Sequence, residues 1–411
     1  MKKLILSVIY LFLCLLTPKA QAFSFSDSTK VSLITCSPGK EVYARFGHTA
    51  VRVNDPINGI DIVFNYGIFD FNSKNFYLKF IKGETDYKLA AYDFIYFLSE
   101  YIERNSWVWE QVLNLNPAEK KKLINSLILN HRPENRTYRY NFVFDNCSTR
   151  PREKIIESLD GRLNYPFRES EKTFRDWVGL YTGEDTWLKF GIDMIFGDDA
   201  DKLATRSQSM FLPEILMGEF QTAEITSIEN EERRSLVSEY AILAEKKSEQ
   251  KEELFFLFTP FAVSMFLLAL GFAFLYKNRR FHYFYKTFDT VLFVTIGLIG
   301  CIVAYLSFFS LHPLVKHNAS ILWLNPLFLF AGVAQWVRPL KTATFFIILL
   351  NNLLILVILL LYAFDVHYFN AAFIPLITLL FLRSLNYNKI RLRKGIKIGN
   401  RKIKYSQNKW K

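Results

Sequence analysis

The chain has 411 residues and a formal net charge of +12, with 51 Lys and Arg against 39 Asp and Glu. Most of this excess lies after residue 383, where ten basic residues occur without an acidic one. The excess therefore indicates membrane topology and attraction to anionic lipid. It excludes nucleic acid as the expected partner, because no nucleic-acid-binding fold is recognisable in the sequence.

The N-terminus has the features of a secretory signal peptide. Met1-Lys2-Lys3 is followed by the apolar run Leu4–Leu16 and then by Ala20-Gln21-Ala22, a small-residue cleavage motif. The apolar run is shorter than the roughly 20 residues that a spanning helix needs. We expect residues 1–22 to be a signal peptide cleaved after Ala22, with a retained anchor as the alternative.

Residues 23–220 are predicted to form one exported α+β domain. Short segments rich in β-branched and aromatic residues predict strands at Val31–Thr35, Thr49–Val53, Asp61–Tyr66 and Thr137–Phe144. Helices are predicted at Tyr92–Arg104, Pro117–His131 and Pro151–Leu159. The apolar residues of 161–223 indicate either ordinary core or a cover beside a site near the membrane. Residues 221–253 are mostly charged and predict a helical linker.

Five apolar segments follow, and they predict an all-α membrane domain at 254–383. The segments are Leu254–Tyr276, Phe288–Leu311, Ser320–Val337, Ala343–Ala363 and Ala371–Leu382. The first four are long enough to span a bilayer, and the fifth is short enough to be re-entrant or tilted. Basic residues cluster after the first, third and fifth segments, which places the exported domain outside and the tail 384–411 in the cytoplasm.

The segment Asp145-Asn146-Cys147-Ser148-Thr149 delivers a cysteine to a predicted helix start. Unpaired backbone N–H groups and the positive end of the helix dipole favour a thiolate there. About a hundred residues earlier, His48 opens a predicted strand. A cysteine and a histidine in such positions can act as nucleophile and base.

Two other uses of Cys147 are open. In an oxidising exported compartment it can form a disulfide with Cys36, the other cysteine of the domain. A zinc site needs three or four converging ligands, and the other histidine of this domain, His131, lies at a predicted helix end. We therefore expect no metal and no cofactor.

Three motifs together carry a family resemblance: Phe46-Gly-His48-Thr-Ala-Val-Arg52, Asn65-Tyr-Gly67, and Asp145-Asn-Cys147-Ser-Thr-Arg150. Over about residues 30–220 the chain resembles the periplasmic domain of Lnb-type lipoprotein N-acyltransferases of Bacteroidota, and the likeness extends to the membrane helices. The resemblance implies a circularly permuted papain-like fold, in which the histidine precedes the cysteine.

The resemblance also implies a reaction. Cys147 takes a fatty acyl group from a phospholipid as a thioester and passes it to the α-amine of a diacylated lipoprotein. His48 is the base, and by analogy with papain-like sites Asn65 on the following strand orients it. Asp70 and Asp145 are rivals for that third role, since related families often use a histidine and none lies nearby in this sequence.

Substrate-binding roles are predicted for three further residues. Tyr43 is a candidate side-chain donor to the oxyanion, with a half-buried strand aromatic as the alternative. Arg150 and Arg152 are candidates for the lipid phosphate, with exposed helix charges as the alternative.

Two other functions compete with acyl transfer. The same Cys–His arrangement can hydrolyse a phospholipid or a cell-wall peptide, although five spans are more than a wall hydrolase requires. A catalytically inert, membrane-anchored module is the third reading, and a disulfide between Cys36 and Cys147 would favour it.

Overall fold

The structure, a computed structural model, describes residues 25–69, 74–167, 172–247, 255–275, 282–364, 368–394, 396–398 and 401–403. The predicted signal peptide at 1–22, the candidate Asp70 and the end of the tail from residue 404 lie outside these ranges.

A seven-stranded antiparallel sheet forms the centre of the N-terminal domain, with the strand order β10-β5-β1-β2-β3-β4-β6. Its strands are β1 (Lys30–Cys36), β2 (His48–Asp55), β3 (Ile60–Ile68), β4 (Asp86–Asp93), β5 (Val108–Leu113), β6 (Thr137–Arg139) and β10 (Val237–Ala244). A smaller three-stranded sheet contains β7 (Gly161–Asn164), β8 (Glu224–Ser227) and β9 (Arg233–Ser235). The predicted α+β class is confirmed.

The helices of this domain are α1 (Phe76–Lys82), α2 (Phe94–Glu103), α3 (Pro117–His131), α4 (Thr149–Ser158), α5 (Phe174–Thr182), α6 (Trp187–Ile195), α7 (Arg206–Ser209) and α8 (Pro213–Thr222). Helix α3 has the predicted bounds, because Asn116 and Glu119 form a capping box at its start. The helix predicted at Tyr92–Arg104 begins two residues later than expected. Tyr92 and Asp93 complete β4, and α2 starts at Phe94.

Two predictions of secondary structure were wrong. The strand predicted at Thr137–Phe144 ends at Arg139, because Asn141 and Asp145 exchange backbone hydrogen bonds in a local turn. The predicted helical linker is also absent from the described part of 221–253, which forms β8, β9 and β10. Strand β10 pairs with β5 and becomes an edge of the large sheet.

Apolar cores lie on both faces of the large sheet. On one face, Val51, Phe64 and Tyr66 pack with Leu123 of α3 and Ile155 of α4. On the other face, the aromatic residues of α2 pack on Ile34, Cys36, Ala50, Val63 and Val108. The sheet thus holds the ends of β1, β2 and β3 in a fixed arrangement.

The C-terminal region is helical. Its helices are α9 (Pro260–Ala273), α10 (His282–Phe309), α11 (Leu327–Ala334), α12 (Lys341–Ala363) and α13 (Phe373–Lys394), followed by β11 (Ile396–Ile398) and β12 (Arg401–Ile403). By length and composition, two described helices can cross a membrane, Tyr283–Phe309 and Arg338–Ala363. Pro260–Ala273 and Ala319–Ala334 are shorter, so the expectation of four full-length spans is not met within the described residues. Helix α13 continues to Lys394, past the predicted start of the tail.

Helix α6 joins the two regions. Phe190 and Met194 pack with residues of α10, α12 and α13 in one buried cluster. Asp193 accepts hydrogen bonds from Arg175 and from Asn370, which lies between α12 and α13. The core reading of the apolar stretch 161–223 holds for Trp177, Phe196 and Phe211, which lie in a core of the N-terminal domain. Phe190 and Met194 instead pack on the apolar helices, and the reading as a cover of the site stays a prediction.

Candidate functional site

Cys147 lies two residues before the first residue of α4. The turn that carries it is fixed by the buried side chain of Asn146, whose amide donates to the carbonyls of Phe142 (2.8 Å) and Phe211 (2.9 Å). The same side chain accepts from the N–H groups of Ser148 (2.8 Å) and Thr149 (2.9 Å). The cysteine is therefore held at the helix start that the sequence predicts.

His48, the first residue of β2, lies beside Cys147, and its charge and side chain lower the pKa of that thiol. Its Nε2 lies 2.6 Å from Oδ1 of Asn65 on the neighbouring strand β3. Because Nε2 of His48 is already hydrogen-bonded to Asn65, Nδ1 is the ring nitrogen that can interact with the Cys147 sulfur. Asn65 in turn donates through Nδ2 to the Tyr92 hydroxyl at 2.8 Å. The structure thus brings Cys147, His48 and Asn65 into one row, in which His48 is hydrogen-bonded to Asn65.

The electrostatics of this row favour a thiolate beside an imidazolium. Burial raises the pKa of Cys147, but the charge of His48, its hydrogen bond, and the backbone N–H groups of Thr49 and Cys147 outweigh it, and the pKa is lowered. Burial lowers the pKa of His48, but the thiolate and the bonds to Cys147 and Asn65 more than offset it, and the pKa is raised. Both shifts act in the direction that favours the thiolate, which is the nucleophilic form of cysteine.

Gly67 leaves space beside both reacting groups. A Cβ on this residue would lie 3.6 Å from the Cys147 Cβ and 3.6 Å from the His48 Cε1. Its φ of +96° also lies in the region that side chains disfavour. The local backbone of β3 therefore needs glycine where the chain passes the thiol.

Cys36 is buried and unbridged, and Cys147 is unbridged as well. The Cα of Cys36 is paired across the sheet with that of His48, so the two cysteines are neighbours without a disulfide. Burial, and then the negative charge of Cys147, raises the pKa of Cys36 well above its ordinary value. This thiol is therefore poorly suited to attack.

The three predicted substrate-binding residues have different surroundings. Tyr43 is exposed and packs edge-on against Phe69 at a centroid distance of 6.1 Å. Arg150 forms an ion pair with Asp145 at 2.5 Å, so this rival for the third catalytic role is bonded to Arg150, whereas Asn65 is bonded to His48. Arg152 is buried and bonds to the Ser207 carbonyl and to Glu153.

These contacts bear on the predicted phosphate sites. Arg152 is used inside the fold, which is at odds with its predicted role in binding a phospholipid phosphate. Arg150 lines an open cleft with Asn130, Phe144, Asp145 and Lys154, and this cleft does not include Cys147. Within the described residues, no group of three or more His, Cys, Asp and Glu side chains is placed to hold a metal ion.

The sequence analysis assigned no role to three residues that build the site, Asn146, Gly67 and Tyr92, although Asn146 and Gly67 stand in the quoted motifs. Asn146 had a detectable signal, since asparagine shortly before a helix commonly bonds the first free N–H groups. No local signal in the sequence indicated the roles of Gly67 and Tyr92, because these roles depend on the pairing of β3 with β4 and on the approach of the Cys147 turn.

The fold and site together define a class of protein: an antiparallel sheet domain with a Cys–His–Asn row, joined to apolar helices. Two family models match the chain, the Lnb N-terminal periplasmic domain over residues 17–178 and the Lnb transmembrane domain over residues 249–395. The chain belongs to the Lnb family, and it is a membrane protein with a periplasmic domain. No curated protein and no solved structure matches it.

Proposed function

We propose that this protein is an apolipoprotein N-acyltransferase with Cys147 as nucleophile, His48 as acid and base, and Asn65 as the residue that orients His48. The observation that carries the proposal is the row Cys147–His48–Asn65, in which His48 lies beside the thiol and is hydrogen-bonded to Asn65, in a periplasmic domain that packs directly on apolar helices. The proposed fold is the circularly permuted papain-like one, in which the histidine strand precedes the cysteine helix.

In the first half-reaction, the Cys147 thiolate attacks the carbonyl carbon of a phospholipid ester. A bond forms between sulfur and carbon, and the bond from carbon to the glycerol oxygen breaks. The His48 imidazolium gives its proton to that oxygen, and a lysophospholipid leaves. The backbone N–H of Cys147, at the start of α4, is the proposed donor to the transient oxyanion.

In the second half-reaction, the α-amine of a diacylglyceryl-cysteine lipoprotein attacks the thioester. The amine has a reference pKa of about 8, so an uncharged fraction exists near neutral pH. Neutral His48 accepts the amine proton as the amide bond forms and the carbon–sulfur bond breaks. The thiolate and the imidazolium are then restored, and the acyl group has moved from oxygen to nitrogen.

The contacts between the two regions support a membrane orientation. The N-terminal domain touches the chain just before α9, just after α10 and between α12 and α13, through Phe258, Leu311 and Asn370. Along the chain, these points come at the start of α9, at the end of α10 and at the connection from α12 to α13. In a chain that crosses a membrane with each helix, these points lie on the same side. We infer a multi-pass inner-membrane protein whose catalytic domain is periplasmic and whose basic tail is cytoplasmic.

The test is mass spectrometry of the purified full-length protein mixed with phospholipid vesicles. We expect one fatty acyl adduct on Cys147, removed on addition of a diacylated lipopeptide that gains the same acyl group. Cys147→Ala should remain folded and form neither product. Cys36→Ala is the matched control, because it removes a buried thiol of the same domain and should leave acylation intact.

Rapid release of free fatty acid without an adduct would instead indicate a phospholipase. N-acylation by the Cys147→Ala variant would overturn the mechanism.

A further inference from the structure

Helix α1 exposes an unusual amount of apolar surface for so short an element. Its sequence is Phe-Tyr-Leu-Lys-Phe-Ile-Lys, and only Phe76 is buried. The exposed fractions are 71% for Tyr77, 61% for Leu78, 50% for Phe80 and 41% for Ile81. In water this arrangement is unfavourable, since apolar side chains gain free energy when they are buried.

The exposed residues of α1 are arranged as in a helix that lies on a membrane. At about 100° per residue, the apolar side chains follow one another around the helix in the order Phe76, Phe80, Tyr77, Ile81 and Leu78. Together they occupy one continuous arc of about 200°. Lys79 and Lys82 share the remaining side. An apolar arc bordered by lysines is the pattern of helices that sit at the boundary between lipid headgroups and acyl chains.

The end of α1 is fastened to the end of the apolar helix α10. The N–H of Leu311 donates to the Lys82 carbonyl at 2.7 Å, and His312 Nε2 lies 2.8 Å from the Phe80 carbonyl. A Cβ on Gly83 would lie 3.2 Å from the Leu311 Cβ, so the two segments are in close contact. Because α10 is long enough to cross a membrane, its end at Phe309 marks the bilayer surface, and α1 lies at that level.

A row of aromatic rings leads from α1 toward the thiol. Phe76 stacks on Phe69 at 6.0 Å, Phe69 stacks on Tyr87 at 5.0 Å, and Tyr87 stacks on Tyr140 at 4.1 Å. Phe69, Tyr140 and Cys147 pack against the same core cluster. Burial, and then the charge of Cys147, raises the pKa of Tyr87 to about 12, which is consistent with a ring close to the sulfur.

We propose that α1 is embedded in the outer surface of the inner membrane, and that a phospholipid acyl chain passes from it over Phe69 to Cys147. The occupant is thus a lipid bilayer at α1 and one fatty acyl chain along the aromatic row. Two lysines beside the apolar arc suit the anionic headgroups at that depth. The acyl-chain part rests on the proposed function, whereas the membrane contact of α1 does not.

The membrane contact is tested by photocrosslinking of the full-length protein in vesicles of phosphatidylethanolamine and phosphatidylglycerol. Benzoylphenylalanine replaces Leu78 in one variant and Ile57 in the matched control. Ile57 is 73% exposed in the turn between β2 and β3, at the opposite end of β2 from His48. We expect phospholipid adducts from position 78 and none from position 57. Equal labelling of both positions, or none at position 78, would overturn the proposal.

The acyl-chain path is tested by comparing two donors. Leu78→Glu and Phe69→Ser should each slow the acylation of Cys147 by vesicle phospholipid at least tenfold. Leu78→Glu should leave its acylation by water-soluble p-nitrophenyl acetate within twofold of the unmodified protein, which also shows that this variant is folded. For Phe69→Ser the measure is the ratio of the two rates, and the rate with phospholipid should fall at least tenfold relative to the rate with p-nitrophenyl acetate. Ile57→Glu should match the unmodified protein with both donors.

The two proposals fail in different ways. If the unmodified protein is acylated by neither donor, the proposed function fails, and the crosslinking result still decides where α1 lies. If phospholipid acylates Cys147 normally in Leu78→Glu and Phe69→Ser, the acyltransferase proposal stands and the acyl-chain path over Phe69 is wrong.

Discussion

Buried asparagines have opposite surroundings in two regions of the molecule. Beside Cys147, both ends of the Asn65 and Asn146 amides are hydrogen-bonded to protein groups. In helix α12, the amides of Asn351 and Asn352 are as deeply buried. Neither end of either amide has a hydrogen-bond partner within the part of the chain that the structure describes, and the same is true of Asn388 in α13.

This difference separates residues that fix a geometry from residues that do not. An amide with all its bonds made holds its neighbours in one arrangement, and losing it leaves each of those groups unsatisfied. An amide without protein partners costs stability in an apolar setting and orients nothing in the protein. The site around Cys147 is thus held by its asparagines, whereas the buried asparagines of α12 and α13 give no such support to the described residues around them.

The largest effect is expected at a buried charge pair of the helical region, Arg383 with Asp289. Arg383 Nε donates to Asp289 Oδ1 at 2.6 Å, and Nη1 donates to the Gly271 carbonyl at 3.2 Å. Arg383→Met should lower the unfolding free energy in detergent by about 3–5 kcal/mol, because it removes the positive charge beside a buried carboxylate.

The double variant Arg383→Met with Asp289→Leu is the control for this pair. It should recover most of the loss in an unfolding titration, since neither charge then remains. If the double variant is as unstable as the single one, packing rather than charge explains the effect.

The next largest effect is expected for Asn146→Leu, of about 3 kcal/mol, measured by unfolding of the full-length protein. The substitution leaves two carbonyls and two N–H groups without their partner, each costing about 1–3 kcal/mol, with partial compensation by water. The acyl-enzyme should be lost as well, because the Cys147 turn loses its support. Asn230→Leu, on an exposed loop, should change stability by less than about 0.5 kcal/mol.

Asn65→Ala should slow acyl-enzyme formation on the order of 10-fold to 100-fold. The rate of Cys147 acylation rises with pH as the thiol loses its proton, and this acid limb follows the pKa of Cys147. The rate falls at higher pH as His48 loses its proton, and this alkaline limb follows the pKa of His48. The Asn65 bond contributes to the raised pKa of His48, so its loss should move the alkaline limb to lower pH. The rate of acyl-enzyme formation from vesicle phospholipid as a function of pH measures this shift, because that step needs the His48 proton at the leaving oxygen.

Tyr92→Phe is the graded control for this prediction. It removes only the hydroxyl that accepts from Asn65, so its alkaline limb should move in the same direction by a smaller amount. An alkaline limb that stays in place in Asn65→Ala would exclude the orienting role.

Local patterns in the sequence predicted part of this fold and site. Alternation predicted β1, β2 and β3 to within a few residues, and Pro117 with its cap fixed the bounds of α3. His48 and Asn65 lie on β2 and β3, which are paired antiparallel strands. The prediction of these two strands, together with the family resemblance, was therefore enough to predict that the two side chains are close.

The errors came from distant pairing and local competition. The sequence of β10, Val-Ser-Glu-Tyr-Ala-Ile-Leu-Ala, does not alternate regularly between apolar and polar residues, and its side chains are mostly exposed. It is a strand because β5, over a hundred residues earlier, pairs with it. The end of β6 was missed because the Asn141 side chain accepts from the N–H groups of Val143 and Phe144, which favours a turn over the ladder.

The smallest effect, and the one with the opposite sign, is expected for Asn351→Leu. Leucine has a similar volume and removes two buried polar atoms that have no described protein partner, so the unfolding free energy should stay the same or rise by up to about 1 kcal/mol. Acylation of Cys147 should not change, because Asn351 lies in α12 and outside the row that holds the thiol. Thermal unfolding in detergent, beside Asn146→Leu, compares the same substitution in both regions. A loss at Asn351 as large as that at Asn146 would show that the α12 amide is also fully bonded, and the contrast between the two regions would be wrong.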